Sequence, residues 1–139
     1  MSGRLNKRQP FQFHLDLSSG VPVYRQIIDQ VTGGIAAGAM AVGDQLPTVR
    51  QLAVDLSINP NTVTRAYREL EIRGVLETQQ GTGTFISNRQ NQPDESERPR
   101  RLSQLVAEFV ARAGSAGFTV EEIFEQLQVF QNDVGTKRR

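Results

Sequence analysis

A chain of 139 residues, 37% of them apolar, can bury one modest core or two very small ones but no deep enclosed pocket, which disfavours an enzyme. It has no cysteine and one histidine, His14, so disulfides, thiolate zinc sites and Cys/His nucleophiles are excluded within one chain, and we expect no cofactor and no metal. No apolar run approaches the roughly 20 residues of a membrane-spanning helix, and the N-terminus lacks the apolar segment of a signal peptide. We therefore expect a soluble, cytoplasmic protein.

The net charge of +1 does not by itself suggest a nucleic acid partner, but the charge is unevenly distributed. Residues 1–89 hold nine Lys/Arg against seven Asp/Glu, whereas residues 90–139 hold seven against eight. Between Leu102 and Phe130 the only Lys or Arg is Arg112, among four glutamates. An acidic surface there would avoid DNA, so DNA binding is expected of the N-terminal part.

Residues 1–20 predict a polar, basic arm followed by a short strand. In residues 11–17 the apolar side chains alternate with polar ones in period two, as in a strand with one buried face; they are Phe11, Phe13, Leu15 and Leu17. His14 lies on the polar side and is expected to be exposed.

A first helix is predicted to start near Pro22 and to end at Gly38 or Gly43. Its apolar face comprises Tyr24, Ile27, Ile28, Val31 and Ile35. Gly33 and Gly34 weaken this helix by about 1 kcal/mol each relative to alanine. They indicate close packing or a local irregularity, not a phosphate loop, since no Walker spacing accompanies them.

Residues 47–87 predict two short capped helices and a hairpin in uninterrupted order. Thr48 and Gln51 have the spacing of a capping box at the start of the first helix. The apolar face of this helix, which is expected to be buried, comprises Val49, Leu52, Ala53 and Leu56. After a turn at residues 57–58, Asn59 is placed as the N-cap of the second helix and Pro60 at its first position. The second helix buries Val63, Ala66, Tyr67 and Leu70 and exposes, on the opposite face, Asn61, Thr64, Arg65 and Arg68.

A glycine-tipped hairpin follows. Gly74 is predicted to close the second helix, and residues 75–79 and 84–87 are predicted strands joined by Gln80, Gly81, Thr82 and Gly83. The glycines permit positive φ and let backbone N–H groups approach a surface such as a phosphate backbone. The fold class is therefore mainly α: a winged helix-turn-helix of three helices plus a β-hairpin wing, over residues 21–89.

The run LPTVRQLAVDLSINPNTVTRAYRELEIRGVLETQQGTGTF, residues 46–85, resembles the DNA-binding domain of the GntR family of bacterial transcription regulators. The preceding VPVYRQI resembles the first helix of that domain. The short tail after the wing resembles the YtrA-like subgroup, whose members carry a helical pair there.

The resemblance implies which residues contact DNA. Arg50, Asn61 and Arg65 match contact positions of the family, and Thr62 can offer its hydroxyl and its N–H to a phosphate. Pro60 and Thr64 stand where other members have arginine, which shifts base recognition toward Asn61, Arg65 and indirect readout. The expected DNA-binding set is Arg50, Asn61, Thr62, Thr64, Arg65, Arg68, Gln80, Gly81, Thr82 and Gly83.

Two of these assignments have structural alternatives. Arg50 could form a salt bridge to Asp55 or Glu69 instead of contacting DNA. Arg68 could be a peripheral phosphate contact or, like the Glu69 and Arg73 pair, solvated helix surface.

The rest of the chain predicts a linker at residues 90–101, a helical hairpin at 102–131 and a disordered tail at 132–139. Thr119 and Glu122 form a second capping box in the hairpin. The hairpin is too small to bury both its apolar stripes, so we expect dimerisation across a two-fold axis, as the resemblance also implies. Packing of the hairpin against the winged domain is the alternative. The expected dimerisation residues are Leu102, Leu105, Val106, Phe109, Ile123, Phe124, Leu127 and Phe130.

Together these features predict a sequence-specific transcription regulator: a homodimeric repressor that binds double-stranded DNA at an inverted-repeat operator. Any small-molecule effector is expected at a subunit or domain interface, because the tail has no histidine or cysteine and little basic charge. The alternative is a winged-helix module that binds protein or RNA without operator recognition.

Overall fold

A computed structural model describes residues 11–88 and 95–137. The chain divides into two compact units, and the second of them spans Asn91–Asp133. The described residues form the predicted mainly α winged helix-turn-helix, with elements α1 Val23–Ala36, β1 Gln45–Leu46, α2 Val49–Leu56, α3 Pro60–Ile72, β2 Leu76–Gln79, β3 Gly83–Ile86, α4 Arg98–Ser115 and α5 Val120–Lys137. No helix among these residues is long and apolar enough to cross a membrane.

The strand predicted at residues 11–17 is wrong: residues 11–16 form no strand. Two glutamine side chains of α1 supply the hydrogen bonds that a neighbouring strand would have made. Gln30 accepts from the N–H of His14 at 2.9 Å and donates to its carbonyl at 2.6 Å. Gln26 makes the same pair of bonds with Asp16, both at 2.9 Å. The alternation of apolar and polar residues correctly predicts that Phe13 is buried, but it is wrong for Leu17, which is exposed.

Helix α1 ends before Gly38, which has a φ of +81°. Gly34 lies within the uninterrupted helix and is buried. A Cβ atom on Gly34 would lie 3.0 Å from Cε1 of Phe11. The predicted role of this glycine in close packing is therefore confirmed.

The caps of α2 and α3 lie where the sequence predicts them, with one difference. Thr48 Oγ1 accepts from the N–H of Gln51 at 3.0 Å, but the Gln51 amide donates to Asp55 at 2.7 Å, so only half of the predicted capping box forms. A charged carboxylate is a strong hydrogen-bond acceptor, so the Gln51 side chain turns toward Asp55, one turn along the helix, and away from the Thr48 N–H that the box would bond. Asn59 caps α3 by accepting from the N–H of Asn61 at 2.8 Å.

The core of the first unit lies where α1, α2 and α3 meet the sheet. The predicted inner stripe of α3 is buried in full, together with Ile27, Ile28, Val31, Leu52, Leu76 and Ile86. The Tyr67 hydroxyl donates to the carbonyl of Pro47 at 2.7 Å, and burial raises the pKa of Tyr67 above its usual range. This bond ties α3 to the turn that precedes α2.

The sheet has the order β1-β3-β2 and is antiparallel. The wing strands pair from Leu76 with Ile86 to Gln79 with Gly83, close to the predicted bounds. The sequence did not indicate β1, in which Gln45 pairs with Phe85. Two residues are too few to show the periodicity of a strand. Only their pairing with β3 in the folded structure identifies them as one.

The second unit consists of α4 and α5. Helix α4 begins at Arg98, inside the segment expected to be linker, with Pro99 in its first turn, where proline is tolerated. Helix α5 continues through Gly135 to Lys137, so the expectation that the chain is disordered from residue 132 is wrong for residues 132–137. The second capping box forms in both directions: Thr119 N–H donates to Glu122 at 2.9 Å, and Glu122 N–H donates to Thr119 Oγ1 at 3.1 Å.

Candidate DNA-binding surface

The outer face of α3 carries four of the predicted contact residues at positions i, i+3, i+4 and i+7, which lie on one side of a helix; they are Asn61, Thr64, Arg65 and Arg68. Thr64 is half-buried and the other three are exposed. Within the described residues, the Asn61 amide and the Arg68 guanidinium have no hydrogen-bond or ion-pair partner. Their donors are therefore available to a ligand.

Arg65 differs from the other cations of this surface because it stacks on an aromatic ring. Its guanidinium carbon lies 3.8 Å from the ring centroid of Tyr24, in the first turn of α1. Tyr24 is half-buried and packs against the core. The sequence assigned Tyr24 to the apolar face of α1 and did not indicate this contact, which depends on how α1 packs on α3.

The backbone at the start of α3 is satisfied internally. The N–H of Thr62 donates to the carbonyl of Asn59 at 3.0 Å, so the expectation that this N–H is free for a phosphate is wrong. Asn59 also caps Asn61, and Pro60 has no N–H. Of the two Thr62 groups expected to bind a phosphate, only the side-chain hydroxyl is therefore available to do so.

The start of α2 does leave donors free. Arg50 is exposed, and neither predicted salt bridge forms, because Asp55 accepts from Gln51 and Glu69 pairs with Arg73 at 3.9 Å. In residues 11–88 and 95–137 the N–H groups of Val49 and Arg50, and the Arg50 guanidinium, have no partner. The positive charge of Arg50 and the two free N–H groups at the start of α2 together favour the binding of an anion there.

The wing has a three-residue tip held from one side by β1. Thr82 N–H donates to the carbonyl of Gln79 at 2.9 Å, and Gly81, at the third position of this turn, has a φ of +78°. Gln45 donates to the carbonyl of Thr82 at 3.2 Å. Gly83 has a φ of +141°, and a Cβ atom there would lie 2.5 Å from Nε2 of Gln45. Both positions therefore favour glycine by their positive φ, and a side chain at Gly83 would in addition displace the flexible Gln45 amide from Thr82.

The model of the family "Bacterial regulatory proteins, gntR family" matches residues 23–86. The HTH-type transcriptional repressor YtrA of Bacillus subtilis (strain 168) is 36% identical over 120 residues, which cover 86% of this chain and 92% of that protein. The chain belongs to the GntR family.

Two solved structures are similar to this chain over most of its length. A transcriptional antiterminator from Listeria monocytogenes EGD-e has a TM-score of 0.66 at 27% identity, covering 89% of this chain and 92% of that one. A GntR family transcriptional regulator from Listeria monocytogenes has a TM-score of 0.55 at 30% identity, covering 82% and 97%. This GntR protein is a DNA-binding transcription regulator, as the resemblance of residues 46–85 predicts.

The second unit of the GntR protein exposes most of its apolar side chains. Of the eight predicted dimerisation residues, Ile123 is half-buried and the other seven are exposed by 45% to 65%. A groove between α4 and α5 is lined by residues that include Phe109, Phe118, Leu127 and Phe130. These two helices therefore leave several large apolar side chains exposed to water.

Proposed function

We propose that this GntR protein is a homodimeric repressor that binds an inverted-repeat operator with one winged domain per half-site. The observation that carries the proposal is the outer face of α3, where Asn61, Arg65 and Arg68 expose donors that no described acceptor of the protein satisfies. The recognition helix of a helix-turn-helix enters the major groove, where such donors distinguish base pairs.

The positions of these side chains support a different contact role for each. Arg65 and Asn61 contact base edges, since arginine suits guanine and asparagine suits adenine. Arg50 and the free N–H groups at the start of α2 bind a phosphate. Thr62 and Thr64 offer hydroxyl groups, Arg68 contacts a peripheral phosphate, and the wing tip approaches the backbone at residues 80–83.

The dimer is formed by the exposed apolar surface of α4 and α5. Each of these side chains stabilises the assembly by up to about 1.5 to 3 kcal/mol if it becomes fully buried. A second copy supplies a matching surface across a two-fold axis, which in turn matches the symmetry of an inverted repeat. Repression follows the function named for Bacillus subtilis YtrA, and the protein acts in the cytoplasm, where the operator lies.

Regulation by a small molecule is compatible with this arrangement. A metabolite bound at a subunit interface would change the spacing of the two recognition helices, and it would weaken operator binding by the ratio of its affinities for the two states. Within the described residues no group of three or more His, Cys, Asp or Glu could hold a metal ion.

Selection of bound sequences from a random DNA pool tests the proposal. We expect an enriched site with dyad symmetry. Arg65→Ala should lose about 1 to 3 kcal/mol of binding and relax specificity at one position in each half-site. Arg50→Ala should weaken binding to all sequences and reduce the salt slope by about one unit.

Arg73→Ala is the matched control, because Arg73 follows the same helix but pairs with Glu69. It should leave the enriched sequence and the salt slope unchanged. If wild type, Arg50→Ala and Arg65→Ala bind DNA equally, the contact assignment is wrong. If no sequence is enriched and RNA or a protein is bound instead, the winged domain is an interaction module without operator recognition.

A further inference from the structure

We propose that Tyr24 is a positioning residue for DNA recognition, whose ring holds the Arg65 guanidinium in the orientation in which it meets a base. The inference rests on the proposed function of the α3 face. It assigns a role in recognition to α1, a helix that otherwise contributes to the core.

Tyr24 packs against the core, and the Arg65 guanidinium lies over its ring. Tyr24 is half-buried against the core, in the same helix as the fully buried Ile27 and Ile28, so its ring cannot move freely. The guanidinium carbon of Arg65 lies 3.8 Å from the ring centroid, which is the distance of a direct stack. A guanidinium that stacks through its face keeps its N–H groups at the edge of the plane, where they can still bond two acceptors of a guanine.

The stack also lowers the entropy that Arg65 loses on binding. A free arginine side chain samples many rotamers and must be immobilised when it contacts a base. Arg65 is already restrained in the free protein, whereas Arg68 on the same face has no aromatic partner within the described ranges. An exposed cation–π contact corresponds to a factor of about two to five in an equilibrium constant. Tyr24 should contribute a factor of this size to operator affinity, and only through Arg65.

A double-mutant cycle on the full-length protein tests this coupling. The variants are Tyr24→Leu, Arg65→Ala and the double variant, and the measurement is the dissociation constant for the selected operator. Tyr24→Leu should weaken binding about two- to fivefold in the wild-type background and not at all in the Arg65→Ala background. Tyr24→Phe should bind as wild type does, because it keeps the ring face.

Arg68→Ala is the matched control for Arg65→Ala. Its effect should add to that of Tyr24→Leu, since Arg68 does not touch the ring. Thermal unfolding of each variant shows whether Tyr24→Leu acts through loss of folded protein. Equal effects of Tyr24→Leu in both backgrounds would overturn the proposal, because the tyrosine would then be a structural residue. Tighter binding by Tyr24→Leu would overturn it too, by showing that the ring holds Arg65 away from DNA.

A second measurement needs no substitution at Tyr24. The NMR signals of the Arg65 side chain, assigned with Arg65→Ala, should show a ring-current shift in the free protein, and the shift should persist in the operator complex. Shifts typical of a solvated arginine in the complex would overturn the proposal even if Tyr24→Leu does not fold. Failure of the wild type to bind any selected DNA would instead contradict the proposed function.

Discussion

Replacing Phe124 by alanine should convert the proposed dimer into a monomer at concentrations where the wild type is dimeric. Phe124 lies in α5 and is 65% exposed in one protomer. A phenylalanine buries about 200 Å² when enclosed, so about 130 Å² of this side chain is available to a second copy. At about 25 cal/mol per Å², its burial contributes about 3 kcal/mol per protomer and about 6 kcal/mol per dimer. If Phe124 is completely covered in the dimer, the dissociation constant of Phe124→Ala should therefore rise by up to about four orders of magnitude.

Sedimentation velocity from nanomolar to micromolar concentrations measures this change. Phe124→Leu keeps an apolar side chain and should remain closer to wild type. Ile72→Ala is the matched control, because Ile72 is also an exposed apolar side chain, at 76%, but lies in α3 of the other unit. It should not alter the dissociation constant. A wild-type dimer that Phe124→Ala leaves equally tight would refute the assignment of the hairpin as the dimer interface.

Three further predictions concern the folded domain and its boundaries. Tyr67→Phe should lower the free energy of unfolding by about 1 kcal/mol near neutral pH, because a buried hydrogen bond is lost. Since burial raises the pKa of Tyr67, wild-type stability should also fall by up to about 1.4 kcal/mol per pH unit above about pH 10, where the unfolded tyrosine ionises, and urea unfolding should show that the variant lacks this loss. Gly83→Val should lower the melting temperature and operator affinity more than Gly81→Val, since a φ of +141° lies farther from the left-handed region that other residues can adopt than a φ of +78°, and since a side chain there would displace the Gln45 amide from Thr82; equal effects of the two substitutions would contradict this reasoning. Truncation after Arg89 should leave a folded monomer with reduced operator affinity, and a truncated protein that stays dimeric would show that the hairpin is not the dimer interface.

The sequence by itself determined the features whose hydrogen bonds and burial are local. Asn59 and Pro60 start α3 through contacts within one turn, and the spacing of Val63 and Leu70 identifies the buried side of that helix. The wing glycines show where the chain requires positive φ. Because such features depend on residues close in the chain, their spacing predicts both the fold class and the outward face of α3.

Only the tertiary structure decided which distant groups meet. The alternation at residues 11–17 records one buried face, but it cannot show that Gln26 and Gln30 take the place of a neighbouring strand. Likewise, Tyr24 belongs to an apolar helix face by its spacing, and the packing of α1 on α3 places its ring beneath Arg65. The physical reason is that periodicity reports average exposure along a segment, whereas hydrogen bonds and stacking depend on atoms that folding brings together from different segments.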